Sequence, residues 1–485
     1  MMTASRAQTF NHYTTTEKAP WKVSKTKAQA AHGGGVDLVI DKNQQGHVFK
    51  AWGTCFNELD WDALNRLQPN EQEEVMQRIF APDGDLHFTR GRLSMNANDY
   101  SRGWYSCDTV PGDFQLKYFN IERDKTTIIP LIRRAQKYNP GMTFWVSPWS
   151  PPAWMKINND YPVVSSRFNT MNPQKDYLLF DALGEIDEDE VKLAGQREGK
   201  FPRRVAANNY MIQDPRYLQA YANMFCRFIE LYQEENVPID MAMYQNEAYS
   251  YTPYPGCAWT AEGTIHFNKH FFAPTIKKRL PGVKVYLGTF NTNRLDYVEK
   301  IVDELKDDVE GLGLQWEGRE NLDELRQHYP HLKLVSTESE CGNGSMDWNA
   351  GQHTFFLLAD YIGKGCDEYF IWNFILCDDG MSPWGWKQNA LVQVDSRTNT
   401  HRYTAEYYAV KHFSHFVKPG SRVVAYNHKA ENEGMPVIAF INPKGKTIVL
   451  AGNFTDKSRD LNVSVGKNMI HEVLPPHSFH TFVEK

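Results

Sequence analysis

Two glutamates in this 485-residue chain each close a short apolar run. Glu247 ends Met241-Ala242-Met243-Tyr244-Gln245-Asn246-Glu247, and Glu338 ends Leu334-Val335-Ser336-Thr337-Glu338. A short apolar run with β-branched or aromatic members reads as a buried strand. An acid at the C-terminal end of such a strand is where a (β/α)8 barrel keeps its chemistry. Two of them, about three βα units apart, describe carboxylates facing each other across a barrel mouth. Retaining hydrolysis of a glycosidic bond needs that pair. One carboxylate attacks the anomeric carbon while a protonated carboxyl about 5–5.5 Å away gives its proton to the leaving oxygen. Asn246 sets a donor amide directly before the first acid, where a hydrogen bond to the sugar 2-hydroxyl would strengthen at the transition state.

Holding two such acids in register takes a scaffold of alternating strands and helices. From Ala51 the chain supplies one: short apolar runs alternate with amphipathic stretches, the pattern of βα units. The expected barrel strands are 51–55, 88–94, 142–147, 241–246, 283–288, 311–316, 333–337 and 368–373. Helices are expected over Thr126–Lys137, Pro215–Glu235, Thr264–Arg279, Tyr297–Leu305 and Tyr403–Phe416. Before the barrel, residues 1–35 are polar and end in Gly33-Gly34-Gly35, which reads as a mobile lead-in. Val36–Ile40 and His47–Lys50 flank a polar turn and read as a β-hairpin. After the last helix, short turn-bounded strands resemble a β-sandwich that the 36–50 hairpin could complete. The division is therefore 1–35 lead-in, 36–50 first sandwich strands, 51–416 α/β barrel (a TIM barrel) and 417–485 C-terminal sandwich.

Composition narrows the partners. Lys+Arg 53 against Asp+Glu 59 gives a net charge of −6 with no basic block, which disfavours nucleic acid and anionic membrane surfaces. No apolar stretch is long enough to span a bilayer. Thirteen tryptophans within 13% aromatic content suit a site that stacks on the apolar faces of sugars, although most buried rings are core. The seven cysteines contain no CxxC pair and form neither a zinc pattern nor a disulfide framework. His266/His270 and His412/His415 have helical same-face spacing without the HExxH form, and they read as ordinary histidines. The acidic run Glu185–Glu190 lacks calcium-loop spacing and reads as a solvated insertion. His32-Gly33-Gly34-Gly35 has no GxSxG elbow to serve.

Several strings together resemble one family. Arg92-Leu93-Ser94-Met95-Asn96-Ala97-Asn98-Asp99-Tyr100-Ser101, Ser147-Pro148-Trp149-Ser150-Pro151-Pro152-Ala153-Trp154, Gln245-Asn246-Glu247 and Ser336-Thr337-Glu338-Ser339-Glu340-Cys341-Gly342 are similar to motifs of glycoside hydrolase family 30, the clan A glucosylceramidase-like enzymes. So is Tyr407–Gly420, entering the side domain. The resemblance implies a (β/α)8 barrel with a β-sandwich built from both chain ends. It implies Glu247 as acid/base, Glu338 as nucleophile and Asn246 on the 2-hydroxyl. Arg92 would lie under Glu338 and favour its ionised form, and Asp99, Trp149 and Trp372 would line the sugar, with Trp316 and Trp384 as further substrate contacts. Glu247 must stay protonated until it acts, and partial desolvation beside a negative Glu338 would push its pKa upward.

Glu338–Gly342 and Trp372–Asn389 look most like the β-1,6-glucanase branch, which implies pustulan-type β-1,6-glucan as substrate. Two departures stand out. In glucosylceramidases a Tyr commonly follows the strand-six Trp and reaches the nucleophile, whereas Glu317 follows Trp316 here, so that contact is lost or a third carboxylate enters the site. Glu340 also shares a strand face with Glu338 and could rival it if the strand ran on.

The expectation is an endo-acting, retaining β-1,6-glucanase, monomeric, free of metal and cofactor. It is expected outside the cytoplasm, where polymeric glucan is met, with the targeting segment absent from this chain. The alternatives are the same chemistry on β-1,6-galactan, a β-glucoside such as glucosylceramide, or glucuronoxylan, and a sugar-binding protein that has lost catalysis.

Overall fold

The computed structural model describes residues 8–30, 35–44, 46–163, 209–250, 252–427 and 434–485. The acidic run Glu185–Glu190 and His32-Gly33-Gly34 lie outside the described residues. Eight parallel strands close into a barrel: Ala51–Cys55, Arg90–Met95, Thr143–Pro148, Ile239–Met243, Lys284–Phe290, Gly311–Gln315, Lys333–Glu338 and Cys366–Ile371, with the fifth strand hydrogen-bonded to the sixth to complete the ring. Each starts and ends within a few residues of its expected position. They were legible because strands covered on both faces read as unbroken apolar runs.

The barrel interior is filled by Trp145, Met241, Met243, Tyr286, Val335 and Phe370. The sixth strand makes room for them. A Cβ at Gly311 would meet the Tyr286 ring at 2.3 Å, and one at Gly313 would meet Met243 Sδ at 2.5 Å. Residues two apart on a strand share a face, so the same inward face next presents Gln315 at the mouth. Outside the barrel, Pro215–Glu234 and Leu295–Leu305 form helices as expected, and the Ala261–Arg279 stretch runs through one π turn at Asn268–Phe272.

The C-terminal strands form two packed sheets, as expected, but the N-terminal contribution differs. Residues read as a polar lead-in build a hairpin, Thr9–Thr16 with Ala19–Lys27. Its first strand pairs antiparallel with Ser478–Glu484, giving a six-stranded sheet. Thr9–Thr16 is rich in β-branched and aromatic residues and buries Phe10 and His12 on one face and Thr15 on the other, while Ala19–Lys27 is an almost wholly exposed edge with little periodicity to read. The expected 36–50 hairpin does not form. Leu38–Ile40 instead runs parallel to Val463–Val465, where Leu38 and Ile40 fill the sandwich core, and Val48 bridges Arg422.

Buried histidines lie on both faces of the six-stranded sheet. On the sandwich-core side His12 meets His480 at 2.9 Å and stacks on Phe482, and on the barrel side His412 bonds Thr15 and Thr481 at 2.8 Å each. Burial lowers His12 to about 4 and holds His412 and His480 well below the ordinary histidine range. The unfolded chain therefore takes up protons below about pH 6.5 that these buried histidines refuse, so stability must fall as pH drops from there toward 4. Thermal melts between pH 7 and 4 should show a falling Tm, and His480→Gln should flatten that slope. An unchanged slope in the variant would remove the His12–His480 pair as its cause.

Candidate active site

The two acids reach the mouth by different local devices. After the fourth strand ends at Met243, the Asn246 amide donates to Pro148 O at 2.7 Å, and Gln245 Nε2 to Trp149 O at 2.6 Å, clamping the turn to the neighbouring strand. Glu247 then sits at φ 46°, the left-handed region that non-glycine residues reach at a cost, with its amide held by Thr289 Oγ1 at 3.0 Å. Glu338 depends on a slip in register. Gly311 pairs with Lys333 and Leu314 with Ser336, but Gln315 pairs with Glu338, so Thr337 is the extra residue of a bulge. Without the bulge, Glu338 would fall on the opposite face from Val335, whose side chain lies inside the barrel. The bulge re-aims it to the mouth.

Arg92 lies beneath both acids, its side chain fully buried. Its Nη1 donates to Glu338 Oε2 at 2.8 Å and to Thr337 O at 3.1 Å, and Nη2 donates to Asn246 Oδ1 at 2.7 Å and Ser147 Oγ at 3.1 Å. Its guanidinium packs 4.4 Å from the Trp149 ring centre and 4.8 Å from that of Trp145. From the sixth strand, Gln315 Nε2 donates to Asn246 Oδ1 at 3.2 Å and to Glu247 Oε1 at 3.1 Å, while its Oε1 accepts from Thr337 Oγ1 at 2.9 Å. A continuous chain of hydrogen bonds thus runs Glu338–Arg92–Asn246–Gln315–Glu247.

Asp99, Trp149, Asn246, Glu247, Trp316 and Glu338 line one pocket with Tyr254, Trp386 and Gln388. Of the other expected site residues, Arg92 lies below the pocket, and Trp372 is buried with its ring stacked on Trp149 at 5.0 Å. Trp384 is not a pocket wall: it is buried against Trp104, and its neighbour Trp386 takes the pocket position. Glu340 points away to His353, 2.9 Å from its Nε2, and is not among the pocket residues. Glu317 is not among them either; the indole N–H of Trp316 itself reaches Glu338 Oε1 at 3.4 Å. Gln315 and Thr289 were missed because no motif marks them, although the period of two along Gly311-Leu312-Gly313-Leu314-Gln315 could have flagged the former.

Burial dominates the electrostatics. It pushes Glu338 up to about 7 despite Arg92, and the nearby Glu247 charge pushes the same way. Asp99 is held well above the ordinary carboxylate range by burial and then by Glu338 and Glu247. Its Oδ1 is buried with no hydrogen-bond partner among the described residues.

Comparison with known proteins agrees with this fold. The model of the glycosyl hydrolase family 30 TIM-barrel domain matches residues 49–171 and 207–417, and that of the family 30 β-sandwich domain matches 420–482. Putative glucosylceramidase 1 of Caenorhabditis elegans is 24% identical over 92% of this chain and 83% of its own length. Endo-1,6-β-D-glucanase BGN16.3 of Trichoderma harzianum is 23% identical over 92% of this chain and 86% of its own. Among solved structures, the endo-β1,6-glucanase BT3312 superposes with a TM-score of 0.74 at 21% identity, covering 99% of both chains.

The raised Glu338 sets a sign for pH dependence. With Glu338 as the expected nucleophile, attack needs its carboxylate, so kcat/KM on an aryl β-glycoside should fall on acidification below about pH 7 rather than only near the ordinary glutamate value. Arg92→Lys keeps the charge but cannot hold Glu338 and Asn246 at once, and should move this limb to higher pH while lowering kcat on the order of 100-fold. A limb that moves to lower pH would contradict the role given to the guanidinium.

Proposed function

The chain belongs to glycosyl hydrolase family 30, and from that premise we propose that it hydrolyses β-1,6-linked glucan with retention of configuration. The observation that carries the mechanism is the shared pocket: two carboxyls from the fourth and seventh strands, tied through Arg92, Asn246 and Gln315, face one space.

In the first step a Glu338 oxygen attacks the anomeric carbon. The bond from that carbon to the leaving oxygen breaks as Glu247 delivers its proton there. The product half departs and a glycosyl ester remains on Glu338. In the second step Glu247, now a carboxylate, takes a proton from water; the water oxygen attacks the same carbon and Glu338 leaves as carboxylate. Arg92 and the Trp316 indole stabilise Glu338 whenever it carries charge, and Asn246 is placed for the 2-hydroxyl. Asp99, its carboxyl pushed up by burial and by Glu338 and Glu247 and its Oδ1 buried without a hydrogen-bond partner among the described residues, is suited to a second sugar hydroxyl.

The linkage rests on the strings Glu338–Gly342 and Trp372–Asn389, together with relatives named as endo-1,6-β-glucanases. A second reading keeps the chemistry and changes the substrate to a β-glucoside of the glucosylceramide kind, since a relative named as a glucosylceramidase is as similar as the glucanase. Polymeric glucan is met outside the cytoplasm, and the working site is proposed there.

Incubation with pustulan, β-1,6-galactan, xylan and glucosylceramide in parallel should release sugar from pustulan, as a ladder of oligomers if cleavage is internal. Absence of product from pustulan alone would overturn the glucan reading and leave the mechanism standing. Azide should restore turnover of an activated aryl β-glucoside to Glu338→Gly and yield the α-glycosyl azide. Rescue in Glu340→Gly instead would move the nucleophile.

A further inference from the structure

Outside the catalytic pocket, three loops at the same end of the barrel bring a second group of rings together. Trp104 follows the second strand, Tyr161 the third and Trp384 the eighth. The Trp104 and Tyr161 rings are nearly parallel, 19° apart in plane with centres 5.8 Å apart, and both are half-buried. Trp384 is buried behind Trp104 at 4.8 Å, acting as its backing.

Buried polar contacts hold this surface. Lys156 has its ammonium inside the protein, donating to Tyr161 O at 2.6 Å, Pro162 O at 3.1 Å and Gly256 O at 2.8 Å, which staples the third loop to the fourth. Tyr100, next to Asp99, donates to Gly380 O at 2.6 Å and anchors the loop that carries Trp384. Within it, the Ser382 amide donates to Trp386 O at 2.7 Å, closing a tight turn with Trp384 near its tip and Trp386 at its foot. That turn places one indole on the pocket wall and the other under Trp104.

We propose that Trp104 and Tyr161, backed by Trp384, form a sugar-stacking subsite beyond the catalytic pocket, which takes a more distant ring of a β-linked glycan chain. A pyranose has two apolar C–H faces, and a preordered aromatic surface buries one of them with little conformational cost. Core packing alone would cover such rings. Here the outermost two stay partly open while the polar groups beneath them are fixed, the arrangement of a prepared contact surface. The subsite makes the enzyme sensitive to chain length, and it rests on the carbohydrate reading above.

The test uses the Glu338→Gln protein, which should bind without turnover, and calorimetric titration with chains of two to five rings. β-1,6-linked glucose, β-1,6-linked galactose and β-1,4-linked xylose oligomers form separate arms. Affinity should rise with length in the β-1,6-glucose arm, and Trp104→Ala should weaken the longest chain roughly three- to tenfold while erasing the rise. Trp104→Phe, which keeps a ring, should retain part of it and separates lost stacking from lost folding. A Trp104-dependent rise confined to another arm would keep the subsite and overturn the glucan assignment. No rise in any arm, or a rise that Trp104→Ala leaves intact, would overturn the subsite.

Discussion

The buried guanidinium of Arg92 is the constraint on which the site depends. A fully buried cation is tolerable only with a charged partner and a filled set of acceptors, and Glu338, Asn246, Ser147 and the Thr337 carbonyl supply them. Removing one partner from such a pair costs about 3–5 kcal/mol, because the other charge is left stranded. Arg92 thereby fixes the distance between the second, third, fourth and seventh strands at the mouth. The Trp145 and Trp149 rings against its faces keep water out and prevent the fork from turning. The bulge at Thr337 and the left-handed turn at Glu247 are local costs that the frame sustains, and each aims one carboxyl into the shared pocket.

That frame also explains the balance of protons. Three carboxyls, Asp99, Glu247 and Glu338, border a pocket with one buried cation beneath it. Charge on all three at once is unfavourable, and burial raises both Asp99 and Glu338. On the proposed mechanism, a Glu338 carboxylate that is costly to ionise in the empty site relieves that cost as it bonds to carbon. Asp99, pushed up by burial and by its acidic neighbours, is suited to meet a sugar hydroxyl.

Much of this was legible in the sequence, and the failures have physical causes. The barrel strands showed because both their faces are buried, and Glu247, Glu338 and Asn246 showed because each sits on or just beyond such a strand, whereas Arg92 came from the family resemblance. Helices Glu58–Leu64 and Pro69–Phe80 went unread although each begins with a reciprocal cap, Asn57 with Asp60 and Gln68 with Glu71. The 9–27 hairpin was misread because its outer strand is nearly all exposed and its inner strand pairs with the far end of the chain. The partner of Leu38–Ile40 is likewise distant, and a nearby turn was the wrong guide. Trp386 and Tyr254 come to the pocket through loop conformations, which no periodicity records.

The central claim is that Glu338 becomes covalently attached to the sugar while Glu247 moves the proton. A 2-deoxy-2-fluoro β-glucosyl donor with a good leaving group slows the second step and lets the ester accumulate. Peptide mapping by mass spectrometry after such treatment should find one added fluoroglucosyl group, on the peptide containing Glu338 and on that side chain. Attachment at Glu247 or Glu340, or α-anomeric product released from a β-linked substrate with no adduct at all, would contradict it.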